Sequence, residues 1–359
     1  MLPLTISAQD GLISQYDYFD KKIASINLTT YYILKNGEFA YNKSYSNGYP
    51  YGAIKRLDSF EEGALSSLYI CFCVSNIDSN YLCYYFDSNK WNYEVKIISG
   101  EGARNHGLLN LTPSDFFNIR IFKPHTLEEQ CKISNFLELI YAKEKIINRK
   151  INILKKYKEG IKKYVMKDTI KFWKTGIGNA IELKNYLFEK NEYGVKNGLY
   201  PHITLSTEGI TDKSERYDRD FLVKNEDKKY KITHLNQLCY NPANLKFGVI
   251  CINKYGDGIF SPIYSTFDIN NIVIDYLELI ITSNDFINYS MKYQQGTVFE
   301  RMAVSSNDLC KIKIVTTSFD EQQRIAKVAD TLNKKISKLE DELLNLKHLK
   351  STLLNSMFI

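Results

Sequence analysis

The sequence predicts a mixed α+β chain. Two tandem domains are each followed by a long helix, and the helices pair as an antiparallel coiled coil with pseudo-two-fold symmetry. Three observations carry this expectation. The heptapeptides GALSSLY (63–69) and GIFSPIY (258–264) share Gly, Ser and Tyr in register, 195 positions apart. Matching blocks extend outward from both. Two stretches of about forty residues, from Leu127 and from Phe319, space apolar residues by three, four and seven with no internal proline. At 359 residues the chain is long enough for two domains with separate cores.

The repeat can be followed block by block. EFAYNKSYSNGYPYGAI (38–54) matches QLCYNPANLKFGVI (237–250), with Tyr41-Asn42 over Tyr240-Asn241 and Gly52 over Gly248. Further back, ISAQDGL (6–12) matches LSTEGI (205–210). Downstream, Gly102 falls over Gly296 and PSDFFNIRIF (113–122) over SNDLCKIKIV (306–315). LEEQCKI (127–133) then lies over FDEQQRI (319–325), and LKKYKEGI (154–161) over LKHLKSTL (346–353). The order never changes while the offset drifts from 199 to 192. That period is too long for a solenoid, so a whole domain with its helix is duplicated.

Within each copy, β-branched and aromatic runs bounded by turn residues read as strands: SLYICFCV (67–74), KFGVICI (246–252) and IVIDYLELII (272–281). The first helix should bury Ile133, Phe136, Ile140, Ile147, Ile151, Leu154, Ile161 and Tyr164. The second should bury Ile325, Val328, Leu332, Ile336, Leu339, Leu343, Leu346 and Leu353. The expected boundaries are 1–125 for the first domain, 126–167 for its helix, 168–318 for the second domain and 319–359 for its helix.

Charge is concentrated. Of a net +6, the stretch 141–167 carries +8, with ten Lys/Arg opposed only by Glu144 and Glu159. Such a stripe attracts polyanions, or is a solvated helix face. The seven cysteines show no paired zinc-ligand spacing and follow no secretory signal, so free thiols in a reducing cytoplasm are expected. No apolar run reaches membrane-spanning length.

Signatures of bond-making chemistry are missing. No glycine is followed by lysine, so there is no P-loop. YNPAN (240–244) departs from the Asn-Pro-Pro-aromatic motif of amino-methyltransferases at Ala243 and Asn244. The five histidines (His106, His125, His202, His234 and His348) have no counterparts between copies. The heptapeptide serines, Ser67 and Ser261 among them, sit in no Gly-x-Ser-x-Gly elbow. Gly and Ser should shape the turn while Tyr69 and Tyr264 pack beneath it. A non-catalytic chain is expected.

YNPANLKFGVICINKYGDGIFSPIYSTF (240–267) and YNKSYSNGYPYGAIKRLDSFEEGALSSLYICF (41–72) resemble the central signature of target-recognition domains in specificity (S) subunits of type I restriction-modification systems. The Glu129-Gln130 and Glu321-Gln322 pairs, each after an Ile-x-Ile strand, resemble that family's entry into its spacer helices. The resemblance covers essentially the whole chain. One departure concerns the segment 167–202, whose FWKTGIGNAIEL is similar to the family's Trp…Leu opening. The first copy has no counterpart, since MLPLTIS (1–7) begins where LYPHITLS (199–206) does. The first domain is therefore expected to lack its lead-in, through truncation, a shifted start or rearrangement.

The resemblance implies a DNA-reading subunit that binds double-stranded DNA at a bipartite site. It docks two methyltransferase subunits and, through them, motor-nuclease restriction subunits. No cofactor belongs to this chain; AdoMet is expected on the methyltransferase. A stand-alone or decoy DNA-binding protein derived from such a subunit is the alternative. Base readers are expected in GEGARNHG (100–107) and QQGTVFER (294–301), as Arg104, Asn105, His106, Gln294, Gln295 and Arg301. Lys55, Arg56, Asn253, Lys254 and Tyr255 are expected on phosphate. Lys213, Arg216 and Arg219 read better as a solvated loop. Arg149, Lys150, Lys155 and Lys156 could steer the DNA backbone or face a partner subunit, and Lys335 and Lys338 join them on the docking helices.

Overall fold

The computed structural model describes residues 1–18, 30–99, 107–195, 198–213, 229–296 and 302–358. The chain divides into two compact units, Met1–Arg149 with Asp341–Ile359, and Lys150–Glu340.

In the first unit, β1 (Leu4–Ser7) and β2 (Gly11–Ser14) form an antiparallel hairpin, followed by the short α1 (Gln15–Tyr18). The next strands are β3 (Tyr32–Lys35), β4 (Phe39–Asn42), β5 (Ala53–Arg56), β6 (Glu62–Leu65) and β7 (Ile70–Phe72). β3 pairs with β6, and a second sheet has the order β5-β4-β7. Helices α2 (Ser79–Asp87), α3 (Asn92–Ser99) and α4 (Pro113–Phe117) lead into the long α5 (Leu127–Thr175).

The second unit opens with β8 (Ile181–Glu182), β9 (Leu187–Lys190) and β10 (Tyr193–Gly194). It then repeats the first. The hairpin is β11 (Ile203–Ser206) with β12 (Gly209–Asp212). Strands β13 (Tyr230–Thr233), β14 (Leu238–Tyr240), β15 (Ile250–Ile252), β16 (Gly258–Phe260) and β17 (Ser265–Ile269) follow. The sheet orders β15-β14-β17-β9 and β10-β13-β16 reproduce those of the first unit with one lead-in strand added to each. Then come α6 (Ile274–Ile281), α7 (Asn284–Ser290), α8 (Ser306–Cys310), β18 (Lys313–Ile314) and the long α9 (Phe319–Met357). The run 272–281, expected as a strand, is mostly α6. A short apolar run buried on every side looks alike as strand or helix, and Tyr276, Leu277, Leu279, Ile280 and Ile281 are all buried.

The shared heptapeptide has a packing cause. A Cβ on Gly63 would collide with Leu4 Cδ1, and one on Gly258 would lie 2.6 Å from Ile203 Cδ1. The entry strand of each hairpin crosses directly over this glycine, with Pro3 bridging Ala64 and His202 bridging Ile259. The tyrosine closes the turn that follows: Tyr69 N–H donates to the Ser66 carbonyl (3.1 Å) and Tyr264 N–H to that of Ser261 (3.2 Å). Deeper in each core a fully buried tyrosine ties strand to loop. Tyr41 donates to the Tyr51 carbonyl (2.7 Å) and Tyr240 to the Val304 carbonyl (2.9 Å). Burial pushes both phenols above their ordinary range.

α5 does not stop at residue 167 but runs to Thr175, because its inner face keeps finding partners in the second unit. Val165 and Met166 enter that unit's core with Ala329. Thr169 Oγ1 donates to the Val315 carbonyl (3.2 Å) and accepts from Val315 N–H (2.9 Å). Trp173 Nε1 donates to the Lys313 carbonyl (2.7 Å), and its ring stacks on Tyr289 at 3.7 Å. The buried stripe is also displaced from the expected one. Phe136, Tyr164 and Val328 are exposed, while Leu137, Val165, Ala326 and Ala329 are buried. Each unit contains part of both long helices. In the first, Lys143 pairs with Glu342 (2.9 Å) and Lys350 with Glu144 (2.5 Å). In the second, Lys155 pairs with Glu340 (2.7 Å).

Candidate nucleic-acid interface

The described residues on either side of 297–301 form a closed neck. Gln295 and Ala303 exchange both backbone hydrogen bonds (2.9 and 3.0 Å), and Gln294 Nε2 donates to the Met302 carbonyl at 3.0 Å. Gly296, in the neck, has φ +135°, a conformation L side chains rarely adopt. Gln295 is exposed at the rim. Arg301, and in the first unit Arg104, Asn105 and His106, lie outside the described residues. Arg216 and Arg219 do too; the Lys213 backbone N–H donates to the His202 carbonyl at 2.9 Å.

The residues expected on phosphate are brought to ordered positions with internal partners. Lys55 pairs with Asp87 at 2.7 Å; Arg56 bonds Asp58 at 2.6 Å and Ser79 Oγ at 2.8 Å. Lys254 pairs with Asp275 at 2.5 Å and lies 3.9 Å from Glu278. The Tyr255 hydroxyl donates to Asp212 at 3.4 Å. A phosphate would have to replace these carboxylates. Asn253 corrects the expectation outright. Its side chain is fully buried, donates to Thr233 Oγ1 (3.1 Å) and the Gly256 carbonyl (2.8 Å), and accepts from the N–H groups of Tyr255 and Gly256. With both ends of its amide used, Asn253 builds the turn and offers no edge to DNA.

Lys254, Asp275 and Glu278 line a cleft of about 760 Å³ in the second unit, with Lys158 and Lys162 of α5 on its wall. Burial lowers the Lys158 amine below the usual lysine range and raises the Glu278 carboxyl. The cleft is mixed in sign, so it is no simple anion site. Free positive charge lies elsewhere on α5. Lys145 and Arg149 in the first unit, and Lys150, Lys156, Lys163 and Lys167 in the second, lie along the helix, with Lys150 and Lys156 exposed. None of the six has an ion-pair partner among the described residues, unlike Lys155. Lys335 and Lys338 on α9 belong to the same expected set.

Two features escaped sequence reasoning. The glutamine of each Glu-Gln pair is buried and makes the same two bonds in both units. Gln130 Oε1 accepts from Asp78 N–H (2.8 Å) while Nε2 donates to the Pro124 carbonyl (2.9 Å). Gln322 does so with Val273 N–H (3.0 Å) and the Thr317 carbonyl (2.8 Å). The recurrence of the pair was the available signal. His234, isolated in sequence, sits between Asp257 (2.9 Å) and Glu192 (3.1 Å), and these bonds raise its pKa. No local pattern joins those three.

No protein-family model matches the chain, and no curated protein matches it in sequence. Solved structures do. The chain is similar to the crystal structure of a type I restriction-modification system S subunit from M. genitalium. The TM-score is 0.57 at 16% identity, covering 91% of this chain and 84% of that one. The fold is that of an S subunit. Two further structures match with lower scores. One is the HsdS subunit from Thermoanaerobacter tengcongensis (TM-score 0.43, 13% identity, 99% and 90% covered). The other belongs to a study of assembly and conformational transition in a type I R-M system (TM-score 0.49, 10% identity, 99% and 90% covered). Within its S-subunit fold, this chain carries the closed neck on either side of 297–301 and the unpaired lysines on a helix.

Proposed function

We propose that the chain is the DNA-specificity subunit of a type I restriction-modification enzyme. Its two domains each read one half of a bipartite site on double-stranded DNA. The two long helices, as an antiparallel coiled coil, set the spacing and dock two methyltransferase subunits, which bind AdoMet; motor-nuclease subunits join through them. The chain itself makes and breaks no bonds, and it works in the cytoplasm. One observation carries the reading: Gln130 and Gln322 make the same pair of backbone bonds in both units, while the stretches 100–107 and 294–301 differ in sequence. A common scaffold with divergent loops suits two readers of different half-sites.

Arg104, Asn105, His106, Gln294, Gln295 and Arg301 remain the base readers of this proposal. Lys55, Arg56, Lys254 and Tyr255 contact phosphate only by exchanging internal partners. Arg149, Lys150, Lys156, Lys335 and Lys338 face DNA or a docked subunit. The test is adenine-methylation mapping of host DNA with and without the gene, in the presence of its methyltransferase. A bipartite motif that depends on the gene supports the proposal; no gene-dependent methylation overturns it. The second reading, a stand-alone or decoy DNA-binding protein, is favoured by the shorter sheets of the first unit. It predicts DNA binding without co-purification of a methyltransferase.

A further inference from the structure

Two buried cysteines of the second unit face each other across one strand ladder. In the β14–β15 register Cys239 stands opposite Cys251, flanked by Leu238 opposite Ile252 and Tyr240 opposite Ile250. Opposed residues share one face of a sheet, and both thiols enter a small apolar cluster with Ile203, Leu205 and Phe260. Among the described residues no other cysteines are opposed in this way; Cys71, in β7, stands opposite Ala40. The framework does not require the pair. At the matching register of the first unit, Ala40 stands opposite Lys55.

The register also sets how the two thiols can meet. Two positions to either side, Asn241 N–H donates to the Val249 carbonyl (3.0 Å) and Asn253 N–H to the Gln237 carbonyl (2.7 Å). Antiparallel ladders alternate, so the cysteines form a hydrogen-bonded pair, with α-carbons about 5.5 Å apart. A disulfide accepts α-carbons about 4.4–6.8 Å apart. The β-carbons of such a pair stand about 5 Å apart and must close by about 1 Å, which strains the bridge and eases its reduction. A route to the pair exists. Cys251 lines the cleft of about 760 Å³, while Cys239 is fully buried behind it with Sγ 3.1 Å from Thr233 Oγ1.

We propose that Cys239 and Cys251 form a reversible oxidation site, closed into a cross-strand disulfide by a low-molecular-weight disulfide that enters the cleft. The Cys251 thiolate attacks one sulfur of that molecule and breaks its S–S bond. A mixed disulfide forms on Cys251, and one small thiolate leaves and takes up a proton. Deprotonated Cys239 Sγ then attacks Cys251 Sγ and expels the second small thiol. Two protein thiols are oxidised, and one small disulfide is reduced to two thiols. Excess small thiol runs the sequence backwards. Burial raises both thiols above their ordinary range, so thiolate is scarce and bridging is slow near neutral pH. This chemistry is independent of whether the chain reads DNA.

The test incubates the full chain, reduced and folded, with excess hydroxyethyl disulfide, quenches it with N-ethylmaleimide and maps the digest by mass spectrometry. A peptide pair linked through Cys239 and Cys251 is expected, and dithiothreitol should abolish it. Its rate of formation should rise about tenfold per pH unit from about pH 7 to about pH 9, following the thiolate fraction. Cys239→Ser should trap the mixed disulfide on Cys251, whereas Cys251→Ser should leave Cys239 unmodified. Exposed Cys73 should carry only the small adduct, in wild type and variants alike. Absence of the Cys239–Cys251 link from the folded wild-type chain overturns the proposal, and so does a link that forms only in urea. These two outcomes stand even where a serine variant fails to fold. Modification of Cys239 in folded Cys251→Ser at the wild-type rate also overturns it, since entry would then bypass the cleft.

Discussion

Gln130 and Gln322 each occupy a junction where a long helix leaves its domain. Each is buried, and each satisfies one backbone donor and one backbone acceptor. Truncating either leaves those groups unpaired, at a cost of about 1–3 kcal/mol. Gln130→Ala and Gln322→Ala should therefore destabilise by similar amounts in urea unfolding, whereas Gln323→Ala, one residue along on the exposed face, should change little. His234 makes a pH-dependent contribution. Its bonds to Asp257 and Glu192 raise its folded pKa above the ordinary value of about 6.5. The stabilisation is fully present below that ordinary value and is lost as pH rises through the raised one. Wild type and His234→Gln should differ in unfolding midpoint near pH 6 and converge at alkaline pH; a constant gap across that range would rule out titration of His234 as the cause.

Among the elements, the entry hairpins and the long helices depend on different forces. Gly63→Ala and Gly258→Ala would push a methyl group into Leu4 and Ile203, so the hairpin must shift. Overpacking of this kind costs about 1–3 kcal/mol, and hydrogen exchange should report it first in β1 and in β11. On the helices, burial outweighs ion pairing. Lys155 and Glu340 are both about half exposed, so a double-mutant cycle should give a coupling of about 0.2–1 kcal/mol that fades with salt. Ile151→Ala, at a buried position on the same helix, should cost about 2–5 kcal/mol. The heptad stripe expected from the sequence is right in kind but displaced in detail. Ala326, Ala329 and Thr169 are small residues that a count of large apolar side chains passes over, yet they let other chain segments approach closely.

At the level of the whole molecule, specificity and affinity should separate. Lys156→Glu and Lys163→Glu alter unpaired charge on α5. If these lysines lie along DNA, each substitution should weaken binding equally for all sequences. The salt slope should then fall by about 0.9 for each phosphate no longer neutralised. Gln295→Ala, at a loop rim, should relax only one half of the bipartite site. Binding measured from about 50 to 200 mM salt on sites altered in one half distinguishes these outcomes.

The sequence alone determined the architecture. A duplication leaves the same residues at the same intervals, and helical spacing persists over lengths that chance does not produce. Both signals are local and periodic, so Gly63 over Gly258 and the Glu-Gln pairs could be read directly. The tertiary structure decided what local signals cannot. The fully buried Asn253 became a turn-builder because Thr233 and Gly256 meet it in space. Lys55 and Lys254 found carboxylates on helices 32 and 21 residues away. The run 272–281 became a helix because the core surrounding it tolerates an apolar segment of either kind.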